Sequence, residues 1–518
     1  QGRTVSAVGL LPLGALPKTS SGKLQRHRCA RGWTEGSLSL LHRWSLDTDP
    51  SAAATPPTGE LGQDTLLRWM EAEIRRLGGQ FSPDISFVAQ GLDSRRGLEL
   101  LGALEQRLGR KLETSSLYDH STPRALASAL GAPERPAPAP ARGRGTGGGG
   151  AVGIRGLALR LPGAADPEAL WSLMEGGEVS VGEPPEARRA EGARGPAGWL
   201  DRIEAVEPGV VGLPPAEAAA MDPEQHLLLK VVWEALADAG VEPASLSGQA
   251  VGVYIGMSGA GARVPAGEAG PWTATGASPA IAANRISYLL DLRGPSMTLD
   301  TACSSGLTAL HLAAQAIGQG EVDLAIVAAV NLLRDPAATE ALAAAGFLSD
   351  RCRTFAADGR GYVRAEGAVA VVLDRDPAGG RAVLLGSAQN QDGRTNGLTA
   401  PSARAQTEVI RRAWAAASRT PDEATLFELH GTGTALGDPI ETEALVRARS
   451  AQAPPVLVGA LKANIGHTEA VAGLAGLARL ILCLERRRVP PQVAVEVPNP
   501  RIPWERLRLS GGEPWSPG

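Results

Sequence analysis

The chain has 518 residues, enough for about three domains of roughly 150 residues each. Its formal net charge of −4 provides no basic excess for binding nucleic acid, and no apolar run is long enough to span a membrane. No secretory leader pattern opens the sequence, and the cysteines show neither a disulfide framework nor zinc-ligand spacing. We therefore predict a cytoplasmic protein with no metal site, no nucleic-acid partner and no membrane partner. The four cysteines are Cys29, Cys303, Cys352 and Cys483.

A turn rich in Gly, Ser and Pro occupies residues 16–26, with the sequence Leu-Pro-Lys-Thr-Ser-Ser-Gly-Lys-Leu-Gln-Arg. Composition alone predicts a solvated loop there. The run resembles the C-terminal signature of adenylate-forming ligases, the acyl-AMP and acyl-CoA ligase superfamily. The resemblance implies that residues 1–46 are the tail of such a ligase and that Lys23 is its adenylation lysine. Because the nucleotide pocket of that superfamily is not part of this chain, we expect no ligase activity from it.

A small all-helical unit is predicted over residues 60–131, after a linker at 47–60. Apolar residues recur on one face of a helix expected over residues 64–77, with Asp64 as its N-cap. A second amphipathic helix is expected to start at Ser94. A short third helix is expected at Pro123, because proline suits the first helical position.

The motif Gly-Leu-Asp-Ser at residues 91–94 places a hydroxyl at the start of the second helix. Ser94 could simply cap that helix, or it could carry a phosphate, since unpaired N–H groups and the helix dipole favour negative charge there. The motif and its three helices resemble an acyl carrier protein. The resemblance implies that Ser94 carries covalent 4′-phosphopantetheine, added by a phosphopantetheinyl transferase. Arg95 departs from the family, which often has an apolar residue at that place.

The second half of the chain is predicted to be one large α/β unit. Residues 132–150 are a Pro/Ala-rich spacer followed by glycines, which predicts a tether. Residues 151–518 alternate apolar strands with helices, the pattern of a layered α/β domain. Polar loops with distinctive residues follow three of the strands.

The first of these loops contains Cys303. An apolar run over Ser296–Leu299 leads into it, and a helix expected over residues 307–317 leads out. Cys303 would then lie at the N-terminus of a helix, where the dipole favours a thiolate and lowers the pKa below the value of about 8.5 for a free cysteine. The alternative is a buried small hydrophobe, the usual fate of a free cysteine.

The other two loops are rich in glycine and present histidines. His430 opens the sequence His-Gly-Thr-Gly-Thr, and His467 closes the sequence Lys-Ala-Asn-Ile-Gly-His. Both follow predicted strands, and α/β sheets build their sites at the carboxyl ends of strands. The remaining histidines are predicted to be structural: His27, His42, His120, His226 and His311.

Helices are predicted after both histidine loops. Asp438 is expected to cap the first of them, with Pro439 at its first position and Glu441 completing a capping box. The second is expected to start at Thr468. A cysteine with two histidines leaves other chemistry open. A cysteine protease needs one histidine oriented by Asn or Asp, and a metal site usually has ligands at closer spacing.

Four motifs together resemble the β-ketoacyl synthase family, which has a thiolase-like layered α-β-α-β-α fold. The order of the motifs is also similar to that in type I modular polyketide synthases. The motifs are Asp-Thr-Ala-Cys-Ser-Ser at 300–305, His-Gly-Thr-Gly-Thr at 430–434, Gly-Asp-Pro at 437–439, and Lys462 with Asn-Ile-Gly-His at 464–467.

The resemblance implies a decarboxylative Claisen condensation. Cys303 would hold the acyl chain as a thioester, and His430 and His467 would donate Nε2–H to the developing enolate oxygen. The family's further site residues correspond to Lys462 as a supporting residue, Glu469 as the partner of Lys462, and Thr432 and Thr434 as pantetheine contacts.

Three positions and the end of the chain depart from the family. Gly306 stands where a third serine is common, His226 where arginine is usual, and Ala365 where glycine is usual. The family's closing Gly-Phe-Gly-Gly-Thr-Asn-type segment does not occur before Gly518. We therefore expect the synthase domain at 151–518 to be C-terminally incomplete and to condense poorly as given.

The predicted whole is a polyketide synthase segment in which a ligase tail, a carrier and a ketosynthase follow one another. It would be an acyltransferase of class EC 2.3.1. It would receive a fatty-acyl starter from the upstream ligase, extend it with a malonyl-type unit held on a carrier protein, and form a homodimer. The alternatives are a non-catalytic carrier scaffold, which the intact Cys303, His430 and His467 argue against, and a degradative thiolase, which would need a second catalytic cysteine.

Overall fold

The computed structural model describes residues 7–10, 42–45, 62–87, 89–92, 94–130, 150–259, 270–493 and 495–517. The ligase-tail motif with Lys23, the linker at 47–60, all but the last residue of the linker at 132–150, and Cys29 lie outside the described residues. In the unit formed by residues 1–59, β1 (Ala7–Leu10) and β2 (His42–Ser45) pair antiparallel.

The small helical unit has a single apolar core. Three fully buried residues of its first helix pack there against Leu100, Leu101 and Leu104 of its second. The first helix begins directly after Gly62, so the predicted N-cap role of Asp64 is wrong. Asp64 lies instead in the first turn, where its charge still complements the helix dipole. The helices are α1 (Gln63–Arg76), α2 (Ser94–Leu108), the unpredicted α3 (Ser116–Asp119) and α4 (Pro123–Leu130).

Among the described residues, the α/β unit contains a six-stranded sheet, a three-stranded sheet and a two-stranded pair, together with the surrounding helices. Its strands are β3 (Val152–Arg160), β4 (Val251–Met257), β5 (Ser296–Leu299), β6 (Leu324–Asn331), β7 (Gly367–Asp374), β8 (Ala382–Leu384), β9 (Leu426–Glu428), β10 (Val456–Gly459), β11 (Arg488–Val489), β12 (Leu507–Leu509) and β13 (Glu513–Pro514). Its helices are α5 (Pro167–Glu175), α6 (Glu186–Ala190), α7 (Pro208–Val211), α8 (Pro215–Ala219), α9 (Pro223–Asp238), α10 (Thr273–Ala277), α11 (Pro279–Leu289), α12 (Ser305–Gln319), α13 (Pro336–Ala344), α14 (Ala403–Ala416), α15 (Gly437–Ala448), α16 (Lys462–Ile465) and α17 (Ala472–Arg486).

The larger sheet has six strands in the order β5-β4-β6-β7-β3-β8. Strand β4 runs parallel to β5 and β6, whereas the pairs β6–β7, β7–β3 and β3–β8 are antiparallel. A smaller, fully parallel sheet has the order β12-β10-β9. The short strands β11 and β13 form a separate antiparallel pair. The larger sheet is therefore mixed, with parallel strands where Cys303 follows β5.

Successive residues of β6 belong to opposite faces of the sheet. Val327 lies in the core shared with α12 and α17, and its neighbour Ile326 lies in the core shared with α9 and α11. A third core joins the smaller sheet to α14 and α15. Strands β6 and β7 are continuously apolar, without alternating polar residues, because helices cover both faces of the sheet at these strands. The layer order α-β-α-β-α agrees with the predicted fold. Among the described helices, none has both the length and the apolar character needed to cross a membrane.

Candidate active site

Cys303 lies on the turn between β5 and α12, as predicted. The preceding Ala302 adopts a left-handed backbone conformation with φ of 53°, which is costly for a residue with a Cβ. Two side chains hold the turn. Asp300 Oδ1 accepts a hydrogen bond from Ala302 N at 3.0 Å, and Ser305 Oγ accepts one from Thr301 N at 2.8 Å. The strained backbone that carries the cysteine is thus fixed from both sides.

Gly306, one of the departures from the family motif, lies where α12 passes close to β4. A Cβ on Gly256 of β4 would come within 2.7 Å of Gly306 N. A Cβ on Gly306 itself would lie 3.0 Å from the carbonyl oxygen of Ala470 and from Leu474. Glycine at both positions therefore permits the close approach that seats the helix against the sheet.

His467 is buried and held through its backbone and its ring. Its N–H donates to Val363 O at 2.8 Å, and its own carbonyl accepts from Ala365 N at 2.8 Å. Ring atom Nδ1 accepts a hydrogen bond from Glu469 N at 3.0 Å. A neutral imidazole that accepts at Nδ1 carries its proton at Nε2. The structure therefore presets His467 as an Nε2–H donor, the tautomer that the predicted role requires.

His430 follows β9 on a loop held by a carboxylate. Glu441 Oε1 accepts from His430 N at 2.5 Å, and Oε2 accepts from Gly431 N at 2.9 Å. Asp438 likewise accepts from Gly433 N at 3.1 Å through Oδ1, and from Phe355 N through Oδ2. The loop backbone, which turns through the positive φ of its glycines, is tied to the first turn of α15.

The predicted capping box at α15 is therefore wrong. The helix begins at Gly437, and its N-cap Leu436 makes no side-chain capping hydrogen bond. Asp438 and Glu441 point their carboxylates at loop amides instead, since those amides have no partner within a strand or helix. The predicted helix start at Thr468 is also wrong: a 3₁₀ turn over Glu469–Val471 comes first, and α17 begins at Ala472.

The fold brings Cys303, His430 and His467 together from three separate loops. Their sulfur and ring nitrogen atoms lie within 4.8 Å of one another. The two imidazole rings meet edge to face, with centroids 5.1 Å apart and planes at 85°. One cleft thus offers a thiol and two imidazole donors to the same small group.

The same three side chains could in principle ligate a metal ion, because one Sγ and two ring nitrogens converge. The wide spacing of these three residues along the sequence does not predict a metal site, but folding brings them together regardless of that spacing. What favours the condensing chemistry is the hydrogen bond at His467 Nδ1, which presets Nε2 as a donor in the neutral ring.

Electrostatics keep both imidazoles neutral. Burial lowers the pKa of His467 well below its usual value, with His430 and Lys462 adding to the effect. His430 keeps more exposed surface than His467, but partial desolvation by the surrounding protein, followed by the Lys462 ammonium, lowers its pKa as well. Both rings therefore remain hydrogen-bond donors without carrying a charge at neutral pH.

The predicted thiolate at Cys303 is wrong for the resting protein. Burial raises the pKa of the Cys303 thiol above its ordinary value, and the nearby Glu469 carboxylate acts in the same direction. Lys462 acts in the opposite direction and is the largest influence lowering that pKa. Desolvation thus exceeds the favourable charges around the turn. Among the described cysteines, Cys352 and Cys483 are buried further, and burial raises the pKa of each to about 11.

Glu469 also differs from its predicted partnership. Its carboxylate forms a two-pronged ion pair with Arg364, at 2.5 Å to Nε and 2.9 Å to Nη2. Within the described residues no ion pair joins it to Lys462. Arg364 is about a hundred residues from Glu469 in the sequence. The two side chains meet because the backbones at Arg364 and His467 form a β-bridge in the folded protein. Lys462 itself is buried and acts electrostatically on Cys303 and both histidines.

The remaining predicted site residues fall in two places. Thr432 is buried on the His430 loop, and Thr434 Oγ1 accepts from Gly437 N at 2.9 Å. Ser94 is the first residue of α2, as predicted. A polar cavity of about 360 Å³ lies at the first turn of this helix, lined by Arg76, Leu77, Arg95, Arg96 and Glu99. A helix N-terminus next to guanidinium groups suits a phosphodiester.

Two predicted structural histidines are buried and hydrogen-bonded. His226, which replaces the family's arginine, contacts Ala218 O through Nε2 at 3.0 Å. His311 contacts Ser387 Oγ through Nδ1 at 2.8 Å. Ala365, which replaces a glycine, is fully buried against Gly198 and Gly466. These departures are accommodated by local packing.

Comparison with known protein families agrees with this geometry. Residues 150–378 match the N-terminal domain of β-ketoacyl synthases, and residues 381–496 match the C-terminal domain. Residues 65–130 match the phosphopantetheine attachment site family.

Two curated relatives are polyketide synthases. The chain is 39% identical over 490 residues to a phenolphthiocerol/phthiocerol polyketide synthase subunit of Mycobacterium tuberculosis, and the match covers 87% of this chain and 26% of that protein. It is 39% identical over 454 residues to the pikromycin polyketide synthase component PikAII of Streptomyces venezuelae, with coverage of 81% and 12%, respectively. The chain thus spans about a quarter or less of these relatives.

Solved structures show the same fold. The ketosynthase from module 6 of the bacillaene synthase of Bacillus subtilis 168 aligns with a TM-score of 0.65 and 34% identity, covering 71% of this chain and 67% of that one. The oxazolomycin ketosynthase domain of Streptomyces albus JA3453 aligns with a TM-score of 0.67 and 36% identity, covering 71% and 70%. The predicted thiolase-like fold is confirmed. The chain belongs to the β-ketoacyl synthase family and is an acyltransferase of polyketide synthase type, in which a phosphopantetheine carrier domain precedes the ketosynthase.

Proposed function

We propose that this chain extends an acyl group by decarboxylative Claisen condensation, with Cys303 as nucleophile and His430 and His467 as enolate-stabilising donors. The observation that carries the proposal is the convergence of the three side chains within 4.8 Å, with His467 preset as an Nε2–H donor. Phosphopantetheine on Ser94 would supply a thiol that carries the acyl group as a thioester. The start of α2 at Ser94 and the neighbouring arginines support that attachment.

In the first half-reaction the sulfur of Cys303 attacks the carbonyl carbon of an acyl thioester. The bond to the donor thiol breaks, and the donor leaves with the proton that Cys303 gives up. Because burial raises the pKa of Cys303, the Lys462 ammonium is needed to stabilise the thiolate that must form transiently. The acyl group then remains on Cys303 as a thioester.

In the second half-reaction a malonyl-type thioester loses CO2. The electron pair of the broken C–C bond forms an enolate, whose oxygen accepts hydrogen bonds from the Nε2–H groups of His430 and His467. The enolate carbon attacks the Cys303 thioester, the new C–C bond forms, and the bond between the acyl carbon and the sulfur of Cys303 breaks. The Cys303 thiolate then takes up one proton from solvent, because its original proton left with the donor thiol. Neutral imidazoles suit this step because each can donate its Nε2–H to the enolate oxygen as a hydrogen bond without carrying a charge of its own. Thr432 and Thr434, on the His430 loop, would contact the pantetheine part of the substrate.

Two further parts of the proposal concern assembly and substrate. A homodimer is supported by β5, an edge strand of the six-stranded sheet that is only half-buried and leads directly to Cys303. Light scattering at micromolar concentration should give the mass of two chains, and a monomer would contradict this.

A fatty-acyl starter is supported by the ligase-like sequence around Lys23. Long-chain acyl thioesters should therefore acylate Cys303 faster than acetyl thioester does, and the reverse order would contradict it.

A degradative thiolase is the second candidate, and the site argues against it. A thiolase would need a second cysteine as base, but Cys352 and Cys483 are buried, and burial raises the pKa of each to about 11.

The test of the proposed condensation uses the full chain with a small acyl thioester, such as an acyl-N-acetylcysteamine. Peptide mass mapping should find the acyl group on Cys303 and not in Cys303→Ala. Acylation elsewhere, or equal labelling of both proteins, would refute the assignment.

A further inference from the structure

We propose that the outward face of α15 is a docking surface for the chain's own carrier, and that Arg447 selects that carrier by pairing with its acidic segment. This inference rests on the proposed function, because it names how the carrier engages the ketosynthase. The docking face consists of Glu443 and Arg447, which are four residues apart and therefore lie on one side of the helix. The docking segment of the carrier is residues 113–119, which includes α3.

Arg447 is the centre of the contact. Its guanidinium donates to Glu113 Oε1 through Nε at 3.0 Å, to Asp119 Oδ2 through Nη1 at 3.3 Å, and to Ser115 Oγ through Nη2 at 2.9 Å. A planar, forked guanidinium can engage several acceptors at once, which a lysine cannot reproduce. Three carrier groups thus converge on one synthase side chain.

Glu443 completes the contact from the synthase side. Its carboxylate accepts from Ser115 N at 3.2 Å and lies 2.7 Å from Ser115 Oγ. Ser115 has no exposed surface, and Thr114 beside it is also buried. Buried polar groups are destabilising unless they are hydrogen-bonded. The hydrogen bonds between Ser115 and Glu443 therefore indicate a specific binding site for the docking segment.

The charges of the two surfaces are complementary. The docking segment contributes the carboxylates of Glu113 and Asp119, and the synthase contributes Arg447 and also Arg404 on α14, whose charge acts on Asp119. Glu443 is the exception, because it has the same charge sign as Asp119; its carboxylate is instead matched by the donors of Ser115. Opposite charges across an interface speed encounter and exclude partners with the wrong sign. A carrier with a basic segment at this place would meet Arg447 with repulsion.

The docking face shares its helix with the residues that hold the catalytic loop. Glu441, which binds the backbone of His430, precedes Arg447 by six residues, or about 9 Å along the helix axis. Asp438 and Glu441 point toward the loop, whereas Glu443 and Arg447 point toward the carrier. The carrier is therefore seated on the element that positions His430.

The test is a double-mutant cycle on the full chain, loaded on Ser94 by a phosphopantetheinyl transferase with an acyl-coenzyme A. The rate of acyl transfer from Ser94 to Cys303 is followed by peptide mass spectrometry. It is divided by the rate at which acyl-N-acetylcysteamine acylates Cys303, so that effects on folding or on the thiol cancel. This ratio should fall at least tenfold in Arg447→Ala and in Glu113→Ala. The double variant should be no worse than Arg447→Ala, since the two residues act as a pair.

Matched charge changes outside the contact provide the controls. Arg412→Ala on α14 and Glu71→Ala on α1, each ion-paired within its own helix and outside the contact, should leave the ratio unchanged. An unchanged ratio in Arg447→Ala, or losses from Arg447→Ala and Glu113→Ala that simply multiply, would overturn the docking proposal. Failure of the small thioester to acylate Cys303 in the unaltered chain would instead refute the proposed function itself.

Discussion

Glu441→Gln is the substitution that most sharply separates the two half-reactions. The side chain keeps its size, but one of its two acceptor oxygens becomes an NH2 group. In the unaltered protein Glu441 accepts from His430 N at 2.5 Å and from Gly431 N at 2.9 Å. After the change, one loop amide keeps a neutral acceptor and the other faces a donor.

The size of the effect follows from these two hydrogen bonds. A hydrogen bond to a charged group contributes about 1.5–3 kcal/mol, and a buried donor left without an acceptor costs about 1–3 kcal/mol. The loop conformation that presents His430 should therefore lose roughly 2–4 kcal/mol. If about half of that loss reaches the transition state for decarboxylation, the rate falls between about 5-fold and 30-fold. Complete loss of one oxyanion donor, on the order of 10²–10³, is the upper bound.

The assay measures both half-reactions in the same protein. Release of CO2 from malonyl-N-acetylcysteamine should fall by that factor in Glu441→Gln, whereas acylation of Cys303 by acyl-N-acetylcysteamine should change less than twofold. Glu408→Gln, an exposed residue on α14, is the matched control and should change neither rate. Equal losses in both half-reactions would indicate general unfolding, and no loss in CO2 release would show that Glu441 does not position His430.

Four further predictions concern Ser94, Cys303, Lys462 and a metal-free site. Coenzyme A and a phosphopantetheinyl transferase should add one phosphopantetheine to the chain, and Ser94→Ala should abolish the addition; equal modification of both proteins would disprove the assignment. Because burial raises the pKa of Cys303, its alkylation by iodoacetamide should keep accelerating above pH ~9.5, where a free cysteine with a pKa of about 8.5 is already almost fully ionised. Lys462→Met removes the main influence lowering that pKa, so alkylation at pH 7.5 should slow; an unchanged rate would remove Lys462 from this role. Dialysis against a chelator should leave acylation of Cys303 intact, and its loss would point to a metal on the three side chains.

The sequence predicted the strands, helices and loops of the site better than the side-chain contacts between them. Apolar runs marked β5 and β10, and glycines marked the loops that present His430 and His467, because these signals are local. The start of α2 at Ser94 was also predictable, since amphipathic spacing and a cap-type residue coincide there. The motifs at Cys303, His430 and His467 pointed to three side chains that the fold brings within 4.8 Å of one another.

The errors arise where a long-range partner outcompetes a local one. Asp438 and Glu441 fit a capping pattern in sequence, but unpaired amides of the His430 loop attract their carboxylates. Glu469 lies near Lys462 in sequence, but the Arg364 guanidinium offers it a two-pronged partner. The prediction of a thiolate at Cys303 rested on the helix dipole alone. It omitted desolvation, which in the folded protein raises the pKa of the thiol.

The most direct measurement of the central claim is the condensation product itself. The full chain is incubated with an acyl-N-acetylcysteamine and a malonyl thioester labelled with ¹³C, and the products are read by mass spectrometry. We predict a β-ketoacyl thioester two carbons longer than the starter, with one CO2 released per product, and no product from Cys303→Ala. A product that forms equally well in Cys303→Ala would contradict the proposed condensation.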